Sequence, residues 1–389
     1  MPLPGWPRCW NGSVAETMIG EEGITLRLAL AGGRIDAVAV RSSRGSAALR
    51  LLENQHLPRA VALVPMLFSL CGQAQGAVAL LAAAAAEGHD PAFAELTSGK
   101  RRVQAEALQE HLWRVLVDWP QWLEETPDMA VVGELRRGVA KTLRGGDLEW
   151  QGFRAGLETL LSGKAWAMPT RQWLEMTTLG ELRHWAEEGK TVAARMIGWL
   201  LGGEGTHGAS GVPCLPPDVP SLLSEVAAAM GAAPDYPRYP TWRGEPGETG
   251  ALARMGRHPV LAQLLREQGN TVAARFVARL LEVAQMAIGL EREEGDWLGA
   301  LRLAPGVAVG WAETARGLLV HRLEAREGRV KDYRIVAPTE WNFHPRGALA
   351  EGLTGLSVID GEDARRKAQL LAQALDPCVA CTVEVGDNA

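Results

Sequence analysis

The hydrophobic period of this chain changes twice, and each change limits what it can fold into. Residues 20–41 alternate with a period of two. Ile24, Leu26, Leu28 and Leu30 share one face, Gly32-Gly33 supplies a hairpin turn, and Ile35, Ala37 and Ala39 continue on the return strand. A helical period then holds through most of the chain. Helices are expected over Ala47–Glu53, from Cys71 to Glu87, over Pro91–Leu123, Val131–Leu143, Asp147–Leu161 and Thr170–Glu188, and in a long core helix ending near Glu293. From Leu301 the alternation returns, with strands at Val307–Val309, Gly317–Leu323 and Val330–Val336 around a turn at Arg326-Glu327-Gly328. A last helix, Glu362–Ala374, delivers the chain to a short tail. The pattern is that of an α+β protein, mainly helical, with small antiparallel sheets. One unit over 1–389 is expected: a hairpin at 20–41, a helical core at 75–295, a β region at 301–340, and a C-terminal helix and tail at 362–389.

The tail is Asp376-Pro-Cys378-Val-Ala-Cys381-Thr-Val-Glu384-Val. Two cysteines at this spacing present two thiolates to one soft metal, form a redox disulfide, or are simply small apolar core residues. A third cysteine, Cys71, stands where a loop enters the alanine-rich helix, and amides at a helix start favour a thiolate. Cys9 and Cys214 have no cysteine partner in sequence and read as structural or incidental. Five cysteines in 389 residues argue against a disulfide scaffold and for a reducing compartment, the cytoplasm.

A net charge of −6 advertises no surface for nucleic acid. The N-terminal stretch lacks the basic and apolar regions of a secretory signal. The longest apolar run, Ala77–Ala86, is ten residues, too short for a hydrocarbon layer of about 30 Å. Gly189-Lys190-Thr191 fails as a phosphate loop because His184 stands where the motif needs glycine. Gly189–Arg195 and Gly269–Arg275 differ at one of seven positions, too little for a repeat. His111 has no ligand-spaced neighbour and reads as a core or capping histidine. The loops at 202–220 and 231–250 are long enough to be functional, and are candidate docking surfaces.

Four separated stretches, in order, resemble the large subunit of nickel–iron hydrogenases. Leu70-Cys71-Gly72-Gln73-Ala74 is similar to that family's RxCGxC, and Glu248–Arg254 to its EVGPLAR. Glu313–Gly317, through Tyr333, to Pro338-Thr339-Glu340-Trp341-Asn342 is similar to its APRG strand and PSTWN loop; the tail resembles its DPCxxCxxH. Arg44-Gly45 sits where the family has its opening strands. The resemblance covers nearly the whole length and implies a nickel–iron hydrogenase large-subunit-like fold.

In that family four cysteines hold nickel and an iron that carries two cyanides and one carbon monoxide. The resemblance implies that Cys71 and Cys378 match terminal nickel ligands and that Cys381 matches one bridge. The other bridge falls on Ala74, which has no metal-binding atom. The histidine four residues after that bridge falls on Val78, the terminal histidine on Glu384, and the arginine before the first cysteine on Ser69. Arg316, Pro338 and Thr339 match the residues the family packs against its cyanides, although the proline of APRG is Ala315. A guanidinium and a hydroxyl are sensible donors to cyanide nitrogen. The resemblance thus implies a pocket for Fe(CN)2(CO) that is kept while the full ligand set is lost, and nickel is not expected.

The pattern is similar to hydrogenase accessory proteins of the HupK/HoxV type. It implies a non-catalytic maturation scaffold that receives the iron fragment from a HypC-type chaperone with its HypD-type partner, and passes it to a hydrogenase large-subunit precursor. Two other readings stay open at this stage. One is a divergent hydrogenase with hydrogen-handling activity, in which Arg316 is a base above the metal. The other is a metal-free interaction protein.

Overall fold

The computed structural model describes residues 23–43, 48–68, 71–90, 93–144, 147–216, 219–289 and 297–387. Cys9, Arg44-Gly45 and Ser69 lie outside them. A three-stranded sheet is built from β1 (Gly23–Ala31), β2 (Arg34–Ser42) and, from the other end of the chain, β7 (Ala380–Asp387), in the order β2-β1-β7. The second sheet is an antiparallel meander of β3 (Leu298–Ala304), β4 (Val307–Thr314), β5 (Gly317–Arg326) and β6 (Arg329–Val336). Helices make up most of the remainder, as the period indicated.

Gly32 and Gly33 both have positive φ, 57° and 72°, as a two-residue hairpin turn requires. The register of β1 on β2 slips between Ala29 and Leu30, so Leu28 faces Val38 and Leu26 faces Val40. The face of β2 that turns inward is therefore Ile35, Val38 and Val40, and not Ile35, Ala37 and Ala39. One extra residue in a ladder moves every later side chain to the other face. Leu30, past the slip, is only half-buried.

The long helix Val272–Gly289 is the centre of the main core, with Phe276, Val277, Leu280 and Val283 fully buried. The meander alternates in two directions. Ala308, Ala312, Leu319 and Leu323 pack with helices Leu57–Leu67 and Gly72–Glu87, while Val309, Trp311, Leu318 and Val320 pack with helix Val219–Ala232 and Trp341. Gly310 permits the first contact, because a Cβ there would lie 2.8 Å from the Val78 carbonyl oxygen.

The expected helix over Thr170–Glu188 is two, Thr170–Leu174 and Leu179–Glu188. Thr178 and Glu181 form a reciprocal capping box that starts the second. The helix from Phe93 passes through a π-helical turn at Arg114–Asp118. The 338–342 stretch, expected as a loop, is a short helix started by Pro338. The tail, for which no strand was expected, is β7, paired in parallel with β1 from Gly23↔Ala380 to Leu30↔Asp387. No helix among the described residues is long and apolar enough to cross a membrane.

Candidate cofactor cradle

All four matched stretches converge on one buried place. Asn342 ties two of them together and to Leu375, the residue before the tail. Its Oδ1 accepts from the Thr249 amide at 2.9 Å, and its Nδ2 donates to the carbonyls of Thr249 at 3.1 Å and of Arg316 and Leu375 at 3.4 Å. Thr249 Oγ1 accepts from Leu318 N at 3.0 Å, bolting the 248–254 stretch to the turn that carries Arg316. That turn is tight. Gly317 has φ +127°, and a Cβ on it would lie 2.5 Å from Thr249 Cγ2. Beneath it, Glu248 takes both arms of Arg275 at 2.8 and 2.7 Å, a buried bidentate pair. Leu215 N and Glu248 O, with Glu248 N and Pro213 O, tie the loop at 202–220 to this stretch. Those parts of the two long loops thus have an internal partner.

Asp376 ends helix Gly361–Leu375 in the left-handed region, at φ 54°. Burial opposes its charge, but Arg114, Arg316 and Arg279 around it hold the carboxyl well below the usual carboxylate range. Arg114 reaches Asp376 Oδ1 from the π-helical turn at 2.9 Å, an instance of such a turn re-aiming a side chain. Arg316 is almost fully buried; it donates to Glu110 at 2.8 Å and lies 3.6 Å from Asp376 Oδ1. Burial alone lowers its pKa, but Asp376 and Glu110 outweigh that and keep it charged. Its Nε has no hydrogen-bond partner among the described residues. A cavity of ≈ 20 Å³, large enough for about one water, lies among Arg279, Arg316, Asn342 and Asp376.

Cys71 and Cys378 are half-buried and within electrostatic reach of Arg316: the charges of Cys378 and Arg316 act on Cys71, and that of Cys378 acts on Arg316. Thr339, placed by the Pro338 helix, donates to Cys378 Sγ at 3.1 Å and accepts from Cys378 N at 3.2 Å. Its hydroxyl is thus spoken for by the cysteine. Cys381 is placed differently. It pairs with Ile24 in the β7–β1 ladder, and its side chain, with Val383 and Val385, packs on the main core. Among the described residues no three His, Cys, Asp or Glu side chains stand together as a metal-holding group. Cys71 and Cys378 are thus coupled electrostatically, while Cys381 sits on a strand against the main core.

The helix start does not activate Cys71 as its position suggested. The amides of Gln73 and Ala74 donate to the two oxygens of Glu106, at 2.9 and 3.0 Å, so those amides answer a carboxylate and not the sulfur. Burial, then Cys378 and Glu106, push the Cys71 thiol up to about 12. Burial likewise pushes Cys381 up to about 12. Burial also raises Glu106, to about 7. Glu106 and Glu110 are residues that sequence reasoning missed. The available signal was two carboxylates at i, i+4 on an otherwise amphipathic helix, which sets both on one face.

Ala74, at the missing bridge, is 1% exposed among Ala77, Val78, Leu319 and Ala337. Glu384 points out from β7 to an exposed ion pair with Arg27 at 2.7 Å. His111 is a core histidine, 2.8 Å from Glu282, which also pairs with Arg254.

This architecture is that of a nickel–iron hydrogenase large subunit. A family model described as nickel-dependent hydrogenase matches residues 302–384. The structure is similar to the Ni-Fe-Se hydrogenase of D. vulgaris Hildenborough in the reduced state, with TM-score 0.61, 16% identity, and 90% of this chain and 95% of that one covered. The Ni-Fe-Se hydrogenase of Desulfomicrobium baculatum matches with TM-score 0.57 over the same shares, at 16% identity. Sequence likeness is greater elsewhere. The hydrogenase expression/formation protein HoxV of Cupriavidus necator is 33% identical over 382 residues, 94% of this chain and 97% of its own. HupV of Azotobacter chroococcum mcd 1 is 30% identical over 371 residues, 93% and 98% of the two chains. The chain belongs to the family of hydrogenase expression/formation proteins that includes HoxV, HupV and HupK.

Proposed function

We propose that this chain is a non-catalytic scaffold for hydrogenase formation that carries an Fe(CN)2(CO) unit as cargo. One observation carries the reading most. Two half-buried cysteines lie within the electrostatic reach of a buried, charged arginine whose Nε faces Asp376 at 3.6 Å but makes no hydrogen bond among the described residues. Soft thiolates suit the iron, and an orphan N–H suits a cyanide nitrogen, which accepts hydrogen bonds. Cys71 and Cys378 are the residues that would hold the unit, with Cys381 in reserve on its strand, and Pro338 and Thr339 setting Cys378. A nickel partner is not part of the proposal, because Ala74 offers a methyl group where a second bridging thiolate would stand. Loss of a soft ligand weakens retention, which suits a carrier better than an enzyme.

The relatives' names support a role in formation. The delivering partner is proposed to be a HypC-type chaperone in complex with a HypD-type protein, and the receiver a hydrogenase large-subunit precursor, all in the cytoplasm. Infrared spectroscopy tests the cargo. Protein purified without oxygen from cells making a hydrogenase is expected to show two cyanide bands and one carbonyl band, and a Cys71→Ser, Cys378→Ser double variant none. Absence of the bands from the unaltered protein sinks the reading. Near-stoichiometric nickel with hydrogen turnover would instead establish an enzyme.

A further inference from the structure

A second polar system reaches the cradle from behind. Gln75 lies one turn after Cys71 on helix Gly72–Glu87 and is 1% exposed. Its Nε2 is 3.6 Å from Cys71 Sγ. Its Oε1 is 2.8 Å from Nε2 of His321, and Nδ1 of His321 is 2.8 Å from the Tyr333 hydroxyl. His321 comes from β5 and Tyr333 from β6, so the chain of bonds crosses from the meander to the helix. It does so between apolar neighbours: Ala74, Val78, Leu319 and Ala337 on one side, and Ala308, Leu323 and Val330 on the other. Polar groups in such a place are costly unless every one is satisfied, and here each link is satisfied by the next.

The direction of the bonds follows from the residue types. The amide nitrogen of Gln75 has only hydrogens to offer, so it donates to the sulfur, and its oxygen must accept. His321 then carries its proton on Nε2. Because the ring is neutral, Nδ1 accepts from the Tyr333 hydroxyl. Every bond points toward Cys71.

We infer that Gln75 is the positioning residue of the Cys71 sulfur, its amide locked by His321 and Tyr333 so that an N–H always faces that sulfur. What this means for the cargo rests on the holding role proposed above. A thiolate that already accepts a hydrogen bond gives less electron density to a metal, so the lock makes Cys71 a well-placed but yielding ligand. Cys378 has a parallel arrangement in Thr339, whereas among the described residues no side-chain hydrogen bond reaches the Cys381 sulfur. Among the described residues no hydrogen bond joins Arg316 or the tail motif to Gln75, His321 or Tyr333, which are residues that the resemblance does not mark as ligands.

The experiment uses the full-length metal-free protein with Cys9, Cys214, Cys378 and Cys381 replaced by serine, so that Cys71 is the sole thiol. Its alkylation by iodoacetamide is followed at pH 8. Loss of the N–H in Gln75→Met removes a bond worth roughly one pKa unit, or tenfold in thiolate. The less stabilised thiolate is more nucleophilic by about threefold, with a Brønsted slope near 0.45. The expected result is alkylation about three- to fourfold slower, with Tyr333→Phe falling between the two. An unchanged or faster rate in Gln75→Met overturns the inference. If that variant does not fold, the imidazole nitrogen shifts of His321 in the unaltered protein decide it: a proton on Nε2 supports the lock and a proton on Nδ1 refutes it. These readings need no iron. Missing infrared bands with slowed alkylation would sink the cargo and leave the lock standing.

Discussion

Truncating Asn342 to alanine should loosen the cradle without unfolding the protein, and its size follows from the bonds Asn342 makes. The side chain is 2% exposed, so only a water entering the adjoining cavity of ≈ 20 Å³ could replace part of what is lost, and the cost that follows is that of the dry site. The Thr249 amide, now 2.9 Å from Oδ1, is left buried and unpaired, at about 1–3 kcal/mol. The Nδ2 bond to Thr249 O, at 3.1 Å, and the two 3.4 Å bonds that share its second hydrogen add about 1 kcal/mol net. The sum is about 2–4 kcal/mol, well inside the ~5–15 kcal/mol of a normal domain. Urea unfolding followed by the fluorescence of the 14 tryptophans measures it. Asn342→Asp sharpens the case. It keeps the acceptor for Thr249 N but turns an oxygen toward three carbonyl oxygens. The arginines lining the same cavity already answer Asp376 and Glu248, so the new charge faces carbonyl oxygens at a cost of about 3–5 kcal/mol, and Asp should be less stable than Ala at pH 8. Its folded-state pKa is then raised, so its stability should recover as pH falls and the carboxyl is protonated. An alanine variant within about 0.5 kcal/mol of the unaltered protein, or an Asp variant as stable as Ala at pH 8, refutes the reasoning.

Two further outcomes are expected. Burial lowers His321 to about 3 from an ordinary 6.5, so the unfolded chain binds a proton that the folded one refuses, and stability falls as pH drops from 6.5 toward 3. The full span is at most about 5 kcal/mol, and His321→Gln should flatten the acid limb of a stability–pH curve; an equally steep limb in the variant contradicts the assignment. The Arg27–Glu384 pair on the tail is more than half exposed on both sides. Arg27→Ala should therefore leave the tail's resistance to carboxypeptidase unchanged, whereas Val383→Asp, on the inward face, should release it; equal effects would mean that the ion pair holds the strand.

Much of this was legible before any coordinates. The periods of 2 and 3.6 report burial of one face, a local property, and they separated the strands from the helical middle. Gly32-Gly33 and the Thr178–Glu181 box are local as well, although the helical period runs across the box without a break. The slip at Ala29/Leu30 was not legible, because a bulge is decided by the partner strand. Nor was β7. The tail alternates too briefly to announce a strand, and its partner β1 lies at the opposite end of the chain.

For the site, residue identity by itself determined which chemistry is available. It supplied thiols at 71, 378 and 381, a guanidinium at 316, and a methyl group at 74 where a bridge is missing. Tertiary structure decided how those groups are disposed. It brought the charges of Cys378 and Arg316 to bear on Cys71, turned Cys381 onto a strand, and gave the helix-start amides to Glu106 instead of the sulfur. It also recruited Gln75, His321 and Tyr333, which no spacing connects. Identity is written residue by residue. Hydrogen-bond partners and burial depend on side chains brought together from far apart in sequence, 246 positions for Gln75 and His321 and 357 for Arg27 and Glu384, and only the folded packing sets those distances.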